Sequence, residues 1–301
     1  MTVGVIGAGG VGGYLAGALM RGGAEVLLAV RGAHGRSIAQ EGLRIKSREG
    51  SQTLHPAQTA PSPDHFAKRP EALLFCVKGY DLQTAAQSAA PVIDKKTLLV
   101  PLGNGVGNGA VLRALYPDNP VAEGVVYIVS HIEAPGVVAL KGPGAKVVMG
   151  VDGALPAALC ALGRHLEQGG VKVKLSEEIT TEVWRKFLFI SAMATLTSRY
   201  DKPMGAVAAE HGDALAAVLE EILAVGRAEG ARLDHTDIER VYRQLEKVPY
   251  DSPTSMWLDF QAGRPTELEA LTGKAVHLAQ KHGINAPVLR ESYEILRRKR
   301  R

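Results

Sequence analysis

"VGVIGAGGVGGYLAGAL" occupies residues 3–19, and its pattern decides how the chain begins to fold. The segment opens with a continuous apolar run, continues with closely spaced glycines and ends in small and apolar residues. A continuous apolar run is typical of a strand that is buried on both faces of a parallel sheet. Small residues allow a following helix to pack closely against that strand. The segment therefore predicts a strand, a tight turn and a helix, which together open a βαβ unit.

Three more continuous apolar runs follow in the first half of the chain, namely EVLLAV at 25–30, ALLFCV at 72–77 and TLLVP at 97–101. They predict further parallel strands, so this half is α/β, with a doubly wound, mostly parallel sheet of the Rossmann type. Between 122 and 150, β-rich runs are broken by Pro-Gly and Gly-Pro-Gly, which predicts a hairpin or meander. A helix around 156–168 and a strand at 171–175 end this half.

The chain changes character after Ser176, where strand signals almost vanish. Long helical patterns follow, at 177–200, 213–230, 236–247, 254–261, 266–282 and 287–298. The sequence TELE at 266–269 has the spacing of a capping box at the start of one of these helices. We therefore predict an α/β domain over 1–176 and an all-α domain over 177–301.

The composition is that of a globular protein long enough for two domains, with 301 residues, 46% of them apolar and 22% charged. No run of 18 apolar residues occurs, so no transmembrane helix is expected. Cys76 and Cys160 predict neither a disulfide framework nor a metal site, and they fit a reducing cytoplasm. The net charge is +4, but the last five residues, RRKRR, carry five positive charges. We expect this tail to be a solvated C-terminus rather than an arm that binds nucleic acid.

The closely spaced glycines, Gly7-Ala8-Gly9-Gly10-Val11-Gly12, follow the pattern G-x-G-x-x-G between the predicted strand and helix. In this context the pattern predicts a dinucleotide site. Gly7 would permit the tight turn, Gly9 would let the backbone approach a pyrophosphate, and Gly12 would let the helix pack against the strand. The pyrophosphate would lie at the helix N-terminus, beside Gly10 and Val11, where free N–H groups favour anions.

Arg31 stands at the end of the second predicted strand, in LLAVRGAHGR. A carboxylate at this position usually meets the free 2′-hydroxyl of NAD(H). An arginine can instead pair with a 2′-phosphate and stack on adenine. The predicted cofactor is therefore NADP(H), with a solvated loop arginine as the alternative interpretation.

Lys186 lies well inside the apolar helical stretch EVWRKFLFISAMATLTSRY, residues 182–200. A buried ammonium group is costly in free energy. A partly desolvated lysine has a lowered pKa, however, and can donate a proton near neutral pH. A lysine can also cover apolar helix surface with its stem while its ammonium reaches water. From the residues alone, both interpretations of Lys186 stay open.

Several motifs in one order, covering essentially the full length of the chain, resemble the ketopantoate reductase (2-dehydropantoate 2-reductase) family. They are GAGGVGGYLA at 7–16, VRG at 30–32, CVKGYD at 76–81, GNGVG at 103–107, WRK at 184–186 and SMWLDFQAGRPTELEALTG at 255–273. The resemblance implies NADPH-dependent reduction of a 2-keto acid, most directly of 2-dehydropantoate to pantoate in pantothenate biosynthesis. It also implies a Rossmann domain joined to an all-helical domain, with the active site in the cleft between them, and the helical domain is expected to support a homodimer.

The resemblance also assigns roles to individual residues. Lys186 resembles the general acid of the family, and Glu267 resembles the acid that helps to fix the reacting complex, although it would also suit the first turn of a helix. Asn104 resembles an asparagine near nicotinamide and substrate, although an Asn-Gly pair also suits a plain turn. Lys78 resembles a lysine near the cofactor ribose and the active site, and Ser255 resembles the serine that holds the substrate carboxylate.

The substrate half of the resemblance is incomplete. Close family members carry asparagines four and eight residues after the catalytic lysine, on one helix face that lines the pocket. This chain has Ile190 and Ala194 there, which form no side-chain hydrogen bonds. Ser191 and Thr195, one residue further along, could substitute in part. A reductase of another, less polar 2-oxo acid is therefore as reasonable as a weak ketopantoate reductase.

Two further functions stay open at this stage. The chain could reduce an imine, or it could bind NADP(H) as a non-catalytic sensor that signals through a partner. The sensor is the weaker of the two, because it would need neither Lys186 nor Glu267.

Overall fold

The computed structural model describes residues 1–299 and divides into two compact units. The first unit consists of Met1–Gly103 and Gly107–Ile179, and the second consists of Asn104–Val106 and the chain from Thr180 onward. The short segment Asn104–Val106 therefore packs with the helices of the second unit, although it interrupts the sequence of the first.

Residues 1–299 contain twelve strands, all of them in the first unit: β1 (Thr2–Ile6), β2 (Glu25–Ala29), β3 (Leu43–Ser47), β4 (Gly50–Leu54), β5 (Gln58–Ala60), β6 (Ala72–Phe75), β7 (Leu98–Pro101), β8 (Glu123–Tyr127), β9 (Ser130–Ala134), β10 (Val137–Leu140), β11 (Lys146–Gly150) and β12 (Lys172–Ser176). Five of them form a parallel sheet in the order β5-β2-β1-β6-β7. The four continuous apolar runs form β1, β2, β6 and β7, whose residues are almost wholly buried. The predicted parallel sheet is confirmed.

Two smaller sheets complete the first unit, in the orders β4-β3-β10-β9 and β12-β11-β8. β9 and β10 form the hairpin that the Pro-Gly turn predicts, and Gly136 in that turn has a φ of +78°, which favours glycine. The segments of β3, β4 and β5 were not predicted as strands, because β4 and β5 consist mostly of polar residues and β3 contains only two apolar residues rather than a continuous apolar run.

The helices of residues 1–299 are α1 (Gly10–Arg21), α2 (Gly32–Glu41), α3 (Leu82–Ser88), α4 (Asn108–Leu115), α5 (Ala157–Gln168), α6 (Ile179–Tyr200), α7 (Met204–Glu210), α8 (Gly212–Ala228), α9 (His235–Leu245), α10 (Ser255–Gln261), α11 (Lys274–Lys281) and α12 (Pro287–Lys299). α1 packs on the parallel sheet, and its Leu15 and Leu19 are completely buried in the core. Each such side chain contributes roughly 1.5–3 kcal/mol by leaving water. The helices after α5 form the second unit, so the predicted change from α/β to all-α is confirmed.

α6 is a central helix of the second unit, and its residues 191–198 are all buried. Its apolar composition does not make it a membrane helix. None of the helices within residues 1–299 is both long and apolar enough to cross a membrane.

The segment predicted as one helix over 266–282 is a π-helical turn at Glu269–Gly273 followed by α11. The hydroxyl of Thr266 is buried and has no hydrogen-bond partner in the described part of the chain, so the predicted capping box is wrong. Glu269 instead accepts a hydrogen bond from the hydroxyl of Tyr293, 2.7 Å away on α12. π-helical turns frequently lie at functional sites, and this one begins two residues after Glu267.

The basic C-terminal tail is not fully solvated. α12 continues through Lys299, whose Nζ donates to the carbonyl oxygens of Ser198 and Arg199 at 2.9 and 3.0 Å. These carbonyls lie in the last turn of α6, where the helix itself offers no N–H partners. Arg297, Arg298 and Lys299 are all exposed, as expected of a solvated tail, although Lys299 is also held by these two bonds. Arg300 and Arg301 lie outside the described residues.

Candidate active site

Lys186 lies on α6 and is buried, with only 8% of its surface exposed. Its Nζ donates a hydrogen bond to Oδ1 of Asn104 at 2.9 Å, across 82 positions in the sequence. Asn104 belongs to the three-residue segment that packs with the second unit, so both residues lie in one unit. The interpretation in which this ammonium extends to open water is wrong.

Burial changes the acidity of Lys186. Removal from water lowers the pKa of its ammonium from 10.5 to about 8, and the negative charge of Glu267 opposes this change by raising the pKa. The ammonium is therefore still mostly protonated at pH 7, but it gives up its proton far more readily than an exposed lysine does. A donor whose pKa lies near the operating pH is suited to general acid catalysis.

Glu267 is a second buried charge in this unit, with 2% of its surface exposed. It lies two residues before the π-helical turn, and its charge acts on the pKa of Lys186. Its backbone carbonyl accepts from the N–H of Leu271 at 3.0 Å, so Glu267 stands at the start of this helical segment, and complementation of a helix dipole stays an alternative to a role in the site. Two opposite buried charges partly compensate for each other's loss of hydration.

The loop of Asn104 is fixed against the π-helical turn. Gly105 has a φ of +105°, and a Cβ at this position would lie 3.0 Å from the carbonyl oxygen of Ala270. A side chain at position 105 would be strained by both the backbone conformation and this contact. The Asn-Gly pair thus forms a tight turn, and the amide of Asn104 within that turn also bonds Lys186.

The face of α6 that follows Lys186 is apolar. Ile190 is half-buried and Ala194 is buried. Thr195 is completely buried, and its hydroxyl pairs with that of Thr272 at 2.7 Å. Ser191 is also completely buried, and its hydroxyl has no hydrogen-bond partner among the described residues. Neither hydroxyl is exposed, so the suggestion that they take the place of the two asparagines has no support in this structure.

Ser255 is exposed and is the first residue of α10. The preceding Thr254 caps this helix by accepting a hydrogen bond from the backbone N–H of Trp257 at 3.3 Å. The hydroxyl of Thr254 also pairs with that of Thr197 on α6 at 2.7 Å. The start of α10 is thereby fixed to the helix that carries Lys186. The expected contact of Ser255 with a substrate carboxylate stays a prediction.

The glycine-rich turn of the first unit needs glycine at several positions. Gly7 has a φ of +91°, which favours glycine. A Cβ on Gly12 would collide with the carbonyl oxygen of Gly7, and a Cβ on Gly10 would collide with the carbonyl oxygen of Ser130. A Cβ on Gly9, by contrast, would meet no described heavy atom within 4 Å apart from its chain neighbours. No described side chain caps the N-terminus of α1 that follows. The open space beside Gly9 and the uncapped N–H groups fit a diphosphate.

The other two cofactor candidates follow the strands on either side of β1. Arg31 is exposed at the N-cap of α2, just after β2. Lys78 is half-buried at the N-cap of a short 3₁₀ turn, just after β6. Since β2 and β6 both pair parallel with β1, Arg31, Lys78 and the glycine-rich turn meet at the carboxyl edge of the sheet, where such sheets bind ligands. Val11, at the start of α1, packs against the core below this edge.

The predicted residues thus fall into two sets. One lies at the sheet edge of the first unit, and the other, with Lys186, Asn104 and Glu267 together, lies in the second unit. The bond between Lys186 and Asn104 was not predicted. His34, which bonds the glycine-rich turn, was missed because a histidine on a polar helix carries no sequence signal of its own. Within residues 1–299, no group of three or more His, Cys, Asp or Glu side chains is arranged to hold a metal ion.

Two family models match the chain. The model described as Ketopantoate reductase PanE/ApbA matches residues 3–152, and the one described as Ketopantoate reductase PanE/ApbA C terminal matches residues 178–300. An uncharacterized oxidoreductase, YkpB, of Bacillus subtilis is 29% identical over 293 residues, which cover 96% of this chain and 95% of that one. A 2-dehydropantoate 2-reductase of Halobacterium salinarum is 29% identical over 300 residues, covering 99% and 98%. The crystal structure of a PanE/ApbA family ketopantoate reductase from Ralstonia eutropha is 30% identical, with a TM-score of 0.90 and coverage of 100% and 98%.

Proposed function

Because the chain belongs to the ketopantoate reductase family, we propose that it reduces 2-dehydropantoate, a 2-keto acid, to pantoate with NADPH. The observation that carries this proposal is the buried Lys186, bonded to Asn104 and influenced by Glu267. A similar relative along nearly its whole length is named as a 2-dehydropantoate 2-reductase, which supports the same substrate. The product would enter pantothenate biosynthesis.

The reaction adds a hydride to the keto carbon and a proton to the keto oxygen. Bound NADPH would supply the hydride. Lys186 supplies the proton, since negative charge develops on the oxygen as the C–H bond forms and a positioned donor neutralises it. The C=O bond thereby becomes an H–C–O–H group, and Lys186 is left neutral until it takes up a proton from water.

Asn104 and Glu267 control this proton. The amide oxygen of Asn104 accepts from the Nζ of Lys186 and so fixes the direction of the ammonium. The charge of Glu267 raises the pKa of Lys186 against the larger effect of burial, which keeps the lysine protonated at neutral pH. Removal of either side chain would disturb the donor without removing it.

In this proposal the first domain, over 1–176, binds the cofactor, and the second, over 177–301, binds the substrate and a second copy of the chain. Gly7, Gly9, Gly10, Val11 and Gly12 hold the diphosphate, Arg31 pairs with the 2′-phosphate, and Lys78 lies beside the ribose. Ser255 holds the carboxylate of the keto acid. The homodimer agrees with the family resemblance. A cytoplasmic location agrees with the two free cysteines.

The experiment that tests the proposal follows NADPH oxidation by the purified full-length protein. The panel contains 2-dehydropantoate, a branched 2-keto acid that lacks its hydroxyl, and pyruvate with and without an amine. We expect 2-dehydropantoate to be turned over, and we expect the Lys186→Ala variant to lose this turnover. Turnover of pyruvate only in the presence of an amine would show an imine reductase instead, and NADP(H) binding without any turnover would show a sensor.

One observation favours a second candidate substrate. The α6 face beyond Lys186 presents Ile190, half-buried, and the methyl group of Ala194, neither of which bonds a hydroxyl. A branched 2-keto acid without the hydroxyl of 2-dehydropantoate suits these side chains. The same panel compares the two substrates directly.

A further inference from the structure

His34 joins two backbone segments that are far apart in the sequence. It lies on α2, three residues after Arg31, and is half-buried. The backbone N–H of Gly136 donates to its Nδ1 at 2.9 Å, and its Nε2 lies 3.0 Å from the carbonyl oxygen of Ala8. Ala8 is part of the glycine-rich turn, and Gly136 is part of the β9–β10 hairpin turn. One imidazole ring thus connects the predicted diphosphate site to a hairpin turn that lies 102 positions after His34 in the sequence.

The two bonds define the protonation state of the ring. Nδ1 accepts from an N–H group and therefore carries no proton, so the neutral ring must carry its proton on Nε2. That proton points to the carbonyl oxygen of Ala8, which accepts it. The opposite tautomer would place Nδ1–H against the N–H of Gly136, and the imidazolium would do the same. Only the Nε2–H tautomer satisfies both backbone groups.

A second contact fastens α2 to the same hairpin. Ser37, three residues after His34 and so on the same helix face, donates to the carbonyl oxygen of Pro135 at 3.3 Å. The hairpin also touches the glycine-rich turn directly, because Gly10 packs against the backbone of Ser130 at the start of β9. The hairpin, α2 and the glycine-rich turn therefore form one connected body around His34.

We propose that His34, as its neutral Nε2–H tautomer, is a positioning residue for NADP(H) binding. It fixes the carbonyl of Ala8 in the glycine-rich turn and holds the start of α2, which carries Arg31, against that turn. It does this through the backbone and is not itself assigned a contact with the cofactor. The inference rests on the proposed function only in the identity of the ligand.

A pH dependence follows from this geometry. Burial lowers the pKa of His34 below its ordinary value of 6.5, against the backbone groups of Ala8 and Ala134, which raise it, so the ring is neutral at pH 7 and above. As the pH falls through the lowered pKa, a proton on Nδ1 breaks the bond to Gly136, and the affinity for cofactor falls with it. The glycine-rich turn adds no titratable side chain between Thr2 and Gly13. The titratable side chains nearest in sequence on α2 and β9 are those of Arg31, Arg36, His131 and Glu133.

The tautomer can be measured without any cofactor. Long-range ¹H–¹⁵N NMR spectra of the full-length protein, labelled with ¹⁵N-histidine, distinguish the two neutral tautomers and the imidazolium. The signal of His34 among the nine histidines is assigned by its loss in the His34→Gln variant. We expect the Nε2–H tautomer at pH 7.5. A proton on Nδ1 at this pH would overturn the proposal.

Cofactor affinity is then measured by calorimetric titration with NADP⁺ at several pH values. The His34→Phe variant lacks both bonds and should bind NADP⁺ about 10-fold more weakly at pH 7.5. Loss of each hydrogen bond should raise the dissociation constant on the order of a few-fold or more. KM for NADPH should rise, while kcat at saturating NADPH changes little. The matched control is His55→Phe, which alters an exposed histidine of the same unit and should leave NADP⁺ affinity unchanged.

The His34→Gln variant separates titration from simple loss of packing. Its amide can donate to Ala8 but does not protonate, so the loss of affinity on acidification should be smaller than in the wild type. The titration of the 2′-phosphate affects both proteins alike and cancels in the ratio of their dissociation constants. A wild type and a His34→Gln variant with the same pH dependence would overturn the proposal, even if the Phe variant fails to fold. Failure of the wild type to bind NADP⁺ would overturn it together with the proposed function, whereas NADP⁺ binding without 2-dehydropantoate turnover would overturn the proposed function alone.

Discussion

Burial of Lys186 lowers both the pKa of its ammonium and the stability of the folded protein. The folded protein binds the proton of Lys186 less tightly than the unfolded chain, because the pKa falls from 10.5 to about 8. The free energy of unfolding is therefore reduced by roughly 3 kcal/mol at pH values below about 8, and this loss is recovered as the pH rises from about 8 to 10.5. Stability is commonly sacrificed in this way where activity needs an unfavourably placed group.

We expect the Lys186→Ala variant to lose about 10²-fold or more in kcat, the usual scale for general acid catalysis. Its dissociation constant for NADPH should change little, since the candidates for binding the diphosphate, the 2′-phosphate and the ribose lie in the other unit. The matched control is Lys247→Ala, which removes an exposed lysine of the same unit. Steady-state kinetics and a binding titration provide both numbers, and near-normal turnover would show that Lys186 is structural.

The pH–rate profile gives an independent test of Lys186. In the direction of keto acid reduction, kcat/KM should fall as the pH rises through about 8, because the protonated lysine is consumed as the donor. In the direction of pantoate oxidation, the same group must be neutral, so the rate should rise over the same interval. If the Lys186→Ala variant keeps the fall in kcat/KM at high pH, another group is responsible for that titration.

We expect a second residue, Arg31, to decide the choice of cofactor. The exposed Arg31 follows β2, so an Arg31→Asp variant should bind NADPH more weakly and lose or reverse the preference for NADPH over NADH, because a carboxylate repels the 2′-phosphate. The control, Arg36→Asp, makes the same charge change at an exposed arginine of the same helix. Dissociation constants for the two reduced cofactors provide the readout, and equal values in the wild type would contradict the role of Arg31.

Among the elements, the π-helical turn at Glu269–Gly273 lies beside the candidate site residues of the second unit. It follows Glu267, its Ala270 carbonyl meets the loop of Asn104, and it is fixed to α12 through Glu269 and Tyr293. Burial, together with Glu269, raises the pKa of Tyr293 to about 12, so the phenol stays a neutral donor over the working pH range. A bond to another helix therefore holds the turn that meets the loop of Asn104.

We expect the Tyr293→Phe variant to lose about 0.5–1.5 kcal/mol in the free energy of unfolding, the usual net contribution of one hydrogen bond, because the exposed carboxylate of Glu269 can turn to water instead. Its kcat should fall several-fold, while its affinity for NADPH stays unchanged. Tyr242→Phe, at a more exposed tyrosine of α9, is the control. Urea denaturation and steady-state kinetics measure both effects; lower stability with unchanged kcat would show that the turn does not position the site.

We expect the face of α6 after Lys186 to decide the preferred substrate. A buried hydroxyl without a partner costs roughly 1–3 kcal/mol, which is about 5- to 150-fold in kcat/KM. Ile190→Asn with Ala194→Asn should therefore shift preference toward 2-dehydropantoate over the branched acid without the hydroxyl. Ile190→Asn alone is the control for packing, since Ala194 is the more buried of the two. A wild-type ratio of kcat/KM that already strongly favours 2-dehydropantoate would contradict this role of the face.

On the scale of the whole molecule, α12 is joined to the helix that carries Lys186. Lys299 binds the carbonyls of Ser198 and Arg199 at the end of α6, and Arg199 also bonds Ser292 on α12 at 2.9 Å. Positive charge at a helix C-terminus is favourable, typically by 0.3 to about 1 kcal/mol. The last helix thus stabilises the end of α6, far along the chain from Lys186.

We expect a Lys299→Ala variant to lose about 1 kcal/mol in the free energy of unfolding, with kcat within about twofold of the wild type. Removal of Arg300 and Arg301 alone, which keeps Lys299, is the control and should leave stability unchanged. Thermal and urea unfolding provide the comparison. Equal loss of stability in both variants would show that tail charge in general, and not the bond of Lys299, is responsible.

The features that could be predicted from the sequence are those with a local physical cause. The four buried strands were recognised because a strand covered on both faces is a continuous apolar run, and the glycine-rich turn because several of its positions exclude a Cβ. The two-part architecture followed in the same way from a change in periodicity near Ser176. The residues of the candidate site were named from their motifs, and their roles remain predictions.

The tertiary structure decided what depends on partners that are distant in the chain. The bond of Asn104 to Lys186 spans 82 positions, and the bond of Gly136 to His34 spans 102, so neither leaves a pattern in a short window. The capping box at Thr266 was locally reasonable, but the π-helical turn next to it replaced that arrangement. The tail of like charges predicted solvation, and Lys299 is exposed, but only the tertiary structure shows that it also bonds two carbonyls at the end of α6. Local composition fixes which conformations a segment can adopt. The pKa of Lys186 and the tautomer of His34 depend instead on groups that are distant in the sequence and that packing places beside them.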